Sequence, residues 1–474
     1  MSKTKTARAI NMSTDPIKKC IVKLALPMMV AQLVNMLYSM VDRIYIGNIS
    51  EIGNFAFAGM TVAYPIIAIV AAFAALGAYG ASPLVGIKLG EKDREGAQQI
   101  LSNSFFMLTI FGVTMTAVIM LFRADLLIAF GATENNFQYA YEYLSIYMIG
   151  TIFVMYALGL NVFITAQGFS TRAMKSVILG AVINIVLDPI FIFGLGMATK
   201  GAALATIIAQ FCSAIYIMSF LFSGKGILKL DLKNFKPNPK IIKSFLALGA
   251  APFIMYVTEA AVQIVFNIQM TNYGGDMTDY LITTVGICIS LLQVVLVPVS
   301  AFAQGAAPFV SFNFGSGNMQ RVKSAVKFTL TVTFTIAFII AICAISVPEL
   351  FVRIFNQDPI VIAYGKQYIP IFFAGLTLMG VQTGMQNTFL ALGKAKISLC
   401  LACLRKLVLL IPALLILPIF LGVDGVFYAE AISDFIAIGT TVVVFSLMFG
   451  KILKQREQML LEKAEKEAIA NLEI

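Results

Sequence analysis

Long apolar runs separated by short polar ones organise the chain from about residue 21 onward. A helix needs about 20 predominantly apolar residues to cross the hydrocarbon core. By that measure the pattern predicts twelve helical spans, at 21–46, 55–86, 97–122, 136–166, 173–194, 201–223, 241–272, 280–312, 322–347, 360–391, 397–420 and 424–449. An isolated segment in lipid must satisfy its own backbone hydrogen bonds, which is why these runs are expected to be helices. The alternating ten-residue strands of a membrane barrel are missing. Composition agrees. The 474 residues are 59% hydrophobic and 12% charged, with a mean hydropathy of +0.89, where a soluble domain carries about a quarter charged residues. The expected class is an all-α polytopic membrane protein.

Charge then orients the spans. The net charge of +10 would suit nucleic acid or a membrane surface, and its placement favours the membrane. With the N-terminus inside, 29 of the 34 lysines and arginines fall in inner segments. The outer segments hold Arg43, Arg123, Lys200, Arg353 and Lys366. The positive-inside rule therefore predicts that both termini are cytoplasmic. No nucleic-acid partner is expected. The lysine-rich SGKGILKLDLKNFKPNPK segment reads as a cytoplasmic linker. The expected layout is an N-tail over 1–20, an N-lobe over 21–223, a linker over 224–240, a C-lobe over 241–450 and a charged cytoplasmic tail over 451–474. The basic start lacks an A-x-A-like site after a short apolar run, so no cleaved signal peptide is expected.

Two residue types limit the chemistry. Histidine is absent, which excludes Ser-His, Cys-His and zinc-histidine sites. Most of the six cysteines lie in apolar runs without paired spacing and read as small packing residues. Cys400 and Cys403 form one C-x-x-C, with no second pair and no histidine; one turn of helix is the plainer reading. An enzyme is not expected.

Shifted by 225 residues, the sequence matches itself. AYGASPLV at 78–85 meets AQGAAPFV at 303–310, and Pro27, Gly90, Phe130, Tyr139, Tyr143 and Gly168 meet Pro252, Gly315, Phe355, Tyr364, Tyr368 and Gly393. Each half has an even number of spans, so the copies share a topology: two pseudo-symmetric six-helix lobes. In transporters built this way, sites lie near mid-membrane. The repeat also separates residues that serve the fold from those of one half alone. Asp42 meets Asn267, Asn184 and Asp188 meet Leu409 and Ala413, and Thr206 meets roughly Glu430.

The segment VINIVLDPIFIFGLG, 182–196, is therefore conspicuous. A charged aspartate at a helix centre costs about 2.5–3.5 kcal/mol on insertion scales. Asn184 and Asp188 are four residues apart and share a helix face. If Asp42 of span 1 and Thr206 of span 6 pack against them, two carboxylates, an amide oxygen and a hydroxyl converge. Such a set suits Na⁺, or a carboxylate pair holding a proton. Pro189 removes a backbone donor and is expected to bend the helix there. Plainer readings stay open: Asp42 as a solvated helix end, Asp188 as an interhelical hydrogen-bond partner. Gln32, Asn35, Asn161 and other intramembrane amides fit a polar cavity wall or interhelical contacts equally well. Glu259 can face a cavity and attract a cationic substrate. For Arg405, Glu430 and Asp434, an ion pair such as Arg405 with Glu430 is the favoured reading.

The segments LALPMMVAQLVNMLYSMVDRIYIG, GASPLVGIKLGEKD, NIVLDPIFIFGLGMATKGAALAT and YVTEAAVQIVFNIQMTNYGGD resemble the multidrug and toxic compound extrusion (MATE) transporters, over roughly residues 15–450. The similarity is to the prokaryotic branch with the staphylococcal and DNA-damage-inducible members. It implies two six-helix lobes around a V-shaped cavity, a bacterial or archaeal plasma membrane location, and export of amphiphilic or cationic compounds in exchange for Na⁺ or H⁺. It implies an N-lobe cation site at Asp42, Asn184, Asp188 and Thr206, and drug-contacting amides at Asn35 and Asn161. Glu259 roughly matches one acidic residue of the C-lobe-coupled branch, but span 10 has no carboxylate, which favours the N-lobe site. The expectation is a monomeric secondary antiporter without cofactor, working by alternating access. The alternative is a flippase for a lipid-linked precursor. That would want a strongly basic cavity, whereas the N-lobe leans acidic. The four oxygen-bearing residues suit Na⁺ and H⁺ alike.

Overall fold

The computed structural model describes residues 11–47, 49, 53–130, 132, 134–230, 237–355 and 358–472, and they form helices and connecting turns with no strand. Residues 1–10 of the expected N-tail, 231–236 of the linker and 473–474 of the tail lie outside the described residues. Among the described residues, eleven helices are long and apolar enough to cross a membrane, and Glu134–Ile149 with Thr151–Ala166, bent by 61°, is a twelfth when the pair is taken as one span. The protein is a multi-pass, all-α membrane protein.

Twelve spans follow the predicted order. Span 1 is Ile17–Gly47, span 2 Gly53–Ala78 with Ala81–Gly90, and span 3 Arg94–Ala129. The bent pair is span 4. Span 5 is Ser170–Pro189 followed by a π-helical turn, Ile190–Gly194, and span 6 is Ala198–Phe222. Spans 7, 8 and 9 are Pro239–Tyr273, Thr278–Gly315 and Met319–Ser346. Span 10 is Pro359–Phe373 with Leu376–Ala391. Span 11 runs Ala395–Cys403, a π-helical stretch Leu404–Leu410, and Ile411–Leu421. Span 12 begins the Val423–Leu472 helix.

The repeat is visible in three dimensions, within each half. Asp93 caps span 3 by accepting from the Gly96 amide at 2.8 Å, and Asn318, 225 residues on, caps span 9 by accepting from the Arg321 amide at 3.2 Å. Such caps satisfy donors that a helix start leaves unpaired. Gly168 and Gly393 both have positive φ, 87° and 71°, in the turns before spans 5 and 11, a conformation that glycine adopts without steric cost. Gly150 abuts Ile207 in the first half as Gly375 abuts Ala431 and Asp434 in the second.

Contacts divide the chain into two compact units, and the division differs from the boundaries expected near 21 and 241. The first unit comprises Lys23–Val85 and Asp93–Val257. The second takes in Met12–Val22, Gly86–Lys92 and Thr258–Ile474. Dividing points fall inside spans 1, 2 and 7, and another falls in the turn between spans 2 and 3. The physical reason is close backbone packing at glycines. In the first unit a Cβ on Gly80 would lie 2.0 Å from the Phe245 carbonyl oxygen, and one on Gly249 2.1 Å from that of Leu76. In the second, a Cβ on Gly315 would lie 2.0 Å from the Ile87 carbonyl oxygen. Gly249→Ala is therefore expected to destabilise by about 1–3 kcal/mol, because backbone and not a flexible side chain must yield. Gly286, with nothing within 4 Å, is the control. There alanine should be neutral or stabilising by up to about 1 kcal/mol. Thermal unfolding of the two purified variants checks the contrast, and equal midpoints would contradict it.

The span 12 helix continues without a break into the charged tail, 50 residues in all. Arg456 on that tail donates to Glu91 Oε1 at 2.5 Å and to the Gly315 carbonyl at 3.0 Å. Burial pushes the Glu91 carboxyl up, but hydrogen bonds from Arg456 and Lys88 outweigh it and hold the group below the usual range.

Candidate functional site

Helical spacing in span 5 puts Asn184 and Asp188 on one face. Asn184 Nδ2 donates to Asp188 Oδ1 at 3.2 Å and lies 3.4 Å from Thr206 Oγ1 of span 6. All three side chains are buried, with Asp188 at 0% exposure. Asp42 of span 1 is also buried, and its carboxylate is within electrostatic reach of Asp188. Spans 1 and 5 meet again just beyond, where the Tyr45 and Phe193 rings pack edge to face at 6.2 Å. The packing of spans 1, 5 and 6 thus brings the four expected residues, Asp42, Asn184, Asp188 and Thr206, into one neighbourhood.

Asn184 Oδ1 and Asp188 Oδ2 receive no hydrogen bond there among the described residues. A buried acceptor left unsatisfied costs about 1–3 kcal/mol. The amide orientation follows from the network, since the donor end must face the Asp188 carboxylate and the Thr206 hydroxyl. Its oxygen is then turned toward something else. A hard cation or an added proton is the chemistry that oxygen donors of this kind would take up.

The site opens onto a small cavity of about 30 Å³, room for roughly two waters. Its polar wall is Asn35 and Tyr38 of span 1, Ser176 and Asn184 of span 5, and Thr206, Gln210 and Ser213 of span 6. Lysine and arginine are absent from that wall. Tyr38 and Gln210 were not singled out by sequence. Each sits four residues from a candidate, Tyr38 before Asp42 and Gln210 after Thr206, so helical spacing alone points to them.

The remaining candidates are placed differently. Asn35 lines the cavity, whereas Gln32 is half-buried and is not part of that wall. Asn161 is buried at a break in span 4 and donates to Ser176 Oγ at 2.7 Å and to the Ala173 carbonyl at 3.1 Å. It braces a cavity-lining serine from behind. Glu259 pairs with Lys406 at 2.7 Å, its side chain 43% exposed. Pro189 does not stand at a simple bend. It is the last α-helical residue before the π-helical turn Ile190–Gly194. Proline offers no amide to the Ile185 carbonyl, and the turn continues with wider bonds such as Leu195 N to the Ile190 carbonyl at 2.9 Å. Gly201 permits span 6 to lie against this turn, since a Cβ there would be 2.8 Å from Phe191 backbone.

A family profile described as MatE matches residues 27–190 and again 253–416, once in each half. The chain belongs to the MATE family. The staphylococcal relatives agree in extent. The multidrug export protein MepA of Staphylococcus haemolyticus is 27% identical over 94% of this chain and 95% of its own length. That of Staphylococcus aureus strain MRSA252 is 24% identical over 91% and 94%. Among solved structures, the outward-facing conformation of a multidrug resistance MATE family transporter of the MOP superfamily superposes with a TM-score of 0.88 at 22% identity, over 94% of this chain and 99% of that one. The MATE fold therefore accounts for the repeat and for nearly the whole length.

Proposed function

We propose that this MATE protein is a secondary active antiporter that exports amphiphilic or cationic small molecules in exchange for Na⁺ or H⁺. The reading is carried by one observation: Asn184 Oδ1 and Asp188 Oδ2 are buried oxygen acceptors without a hydrogen bond, between spans 1, 5 and 6. The staphylococcal relatives' name, multidrug export protein, supports the class of cargo. In this reading the coupling ion enters the group of Asp42, Asn184, Asp188 and Thr206, and compensates carboxylate charge that is costly inside the membrane. Ion binding changes the preferred packing of spans 1, 5 and 6, with the turn after Pro189 as the yielding element. A bound ion shifts the equilibrium only by its differential affinity for the two arrangements, which is what alternating access requires.

Small-molecule cargo fits Asn35 on the cavity wall, with Asn161 bracing that wall through Ser176. The cavity of about 30 Å³ is sized for the ion and its water, so cargo needs a wider arrangement than this one. The lysine and arginine distribution supports cytoplasmic termini in a bacterial or archaeal plasma membrane. The absence of histidine and of any nucleophile–base motif supports transport without chemistry. Amides and hydroxyls on the cavity wall, with no cationic side chain, favour antiport over flipping of an anionic lipid precursor.

Dye efflux from proteoliposomes under an Na⁺ gradient alone or a pH gradient alone tests the proposal. Efflux should follow one gradient or both. No efflux under either, from protein that is folded and inserted, would remove the antiport reading.

A further inference from the structure

The second repeat carries a buried charge cluster that the N-half site does not use. Arg405 Nε donates to Asp434 Oδ1 at 2.7 Å and its NH2 to Glu430 Oε1 at 3.1 Å. Beside it, Lys406 Nζ donates to Glu259 at 2.7 Å. Arg405, Lys406, Glu430 and Asp434 are all buried, the first two near the middle of the Lys396–Leu421 span and the last two in span 12. The sequence expectation of an Arg405–Glu430 pair is met, but Asp434 is the closer partner.

The repeat relates this cluster to the N-half cavity. Gly180 and Ala181 correspond to Arg405 and Lys406 at the offset of 225, and Thr206 and Gln210 to Glu430 and Asp434 one residue short of it. The one-residue slip is independently marked by Gly201, which meets span 5 backbone at Phe191 as Gly425 meets span 11 backbone at Leu417. In the first half these positions line the cavity. In the second half the corresponding place is filled by charged side chains.

The charges in the cluster do not balance. Lys406 pairs with the partly exposed Glu259, while a single guanidinium, Arg405, serves two buried carboxylates, Glu430 and Asp434. Full ionisation of that triad leaves one negative charge at mid-span, where a lone charge costs about 2.5–3.5 kcal/mol. A second observation locates the excess. Asp434 is 1% exposed, and its Oδ2 accepts no hydrogen bond among the described residues. That oxygen faces the glycine break in span 10, 3.3 Å from where a Cβ on Gly375 would be. Glu430 and Asp434 are four apart on one helix face and share one guanidinium.

We propose that Glu430 and Asp434 together form a second proton-binding site, in the C half, separate from the pocket of Asp42 and Asp188. A proton fits and a metal ion does not. The Arg405 guanidinium already stands between the two carboxylates and repels a cation, whereas a proton needs no coordination shell. No group of three or more acidic or cysteine ligands suited to a metal is present among the described residues. The proton belongs to the pair, since closely coupled carboxylates titrate jointly. Charged groups facing the pair are Arg405 and Lys406 of span 11 and Glu259 of span 7.

Infrared spectroscopy of the purified protein in lipid tests this independently of transport. In the Asp42→Asn/Asp188→Asn variant, the C=O stretch of a protonated carboxyl should persist and titrate with pH. Adding Asp434→Asn or Glu430→Gln should abolish or shift that band, and the two isosteric variants guard against one failing to fold. A double variant with no titrating carboxyl band overturns the proposal. So does a band that both added substitutions leave unchanged, or one removed only by Glu259→Gln. Loss of coupling in Asp188→Asn bears on the N-half reading alone, so the two proposals fail separately.

Discussion

Replacing Asp188 by asparagine is expected to abolish coupled efflux while the protein stays folded. The new side chain is nearly isosteric, and its amide oxygen can still accept the hydrogen bond that Asn184 Nδ2 now gives at 3.2 Å. What disappears is the ionisable carboxyl beside Asp42, and with it the oxygen that would bind a cation or carry a proton. Each 1.4 kcal/mol of ion-binding free energy lost is about tenfold in affinity, so gradient-driven dye efflux should fall at least about tenfold. Asp42→Asn should act in the same direction, because the two carboxylates serve one site. Proteoliposomes loaded with dye under an imposed gradient, with retention of the folded elution profile, read both parts. Wild-type efflux from Asp188→Asn would mean that the N-half oxygens are structural.

The second large effect is expected at Arg405. Arg405→Leu leaves Glu430 and Asp434 buried without the guanidinium that both now accept from, at 3.1 and 2.7 Å. Breaking one side of a buried ion cluster costs about 3–5 kcal/mol, because the remaining charge is stranded. The unfolding midpoint of the purified variant should fall sharply. Replacing all three residues by apolar ones of similar volume should recover most of the loss, since well-packed apolar replacements of buried ion clusters are often neutral or stabilising. A single Arg405→Leu variant that unfolds at the wild-type midpoint would show that the cluster is not a structural tie.

Much of the candidate site was legible because helix geometry is local. Asn184 and Asp188 stand on one face by spacing alone, and the missing counterparts at Leu409 and Ala413 marked them as features of one half. Asn161 was less legible. An amide in an apolar span fits a cavity wall and an interhelical brace equally well, and its bonds to Ser176 and Ala173 depend on how span 5 packs. Glu259 read as a cavity carboxylate because Lys406, 147 residues away in sequence, gives no local sign of pairing with it. The π-helical turns after Pro189 and around Arg405 escaped a 3.6-residue period altogether. Such turns arise where packing or a lost backbone bond makes the wider winding favourable.

The sequence by itself determined that this is a twelve-span, internally repeated membrane protein, with carboxylates in one half that its twin lacks. Hydropathy and spacing suffice for that, because lipid requires each span to satisfy its own backbone. Only the tertiary structure decided which polar side chains meet. It joined Asn184 to Asp188 and Thr206, filled the equivalent place in the second half with Arg405, Glu430 and Asp434, and divided the units inside spans 1, 2 and 7. Spans that are apolar nearly all round carry little information about which face meets which neighbour. Small residues such as Gly80, Gly249 and Gly315, by admitting backbone contact, settle it.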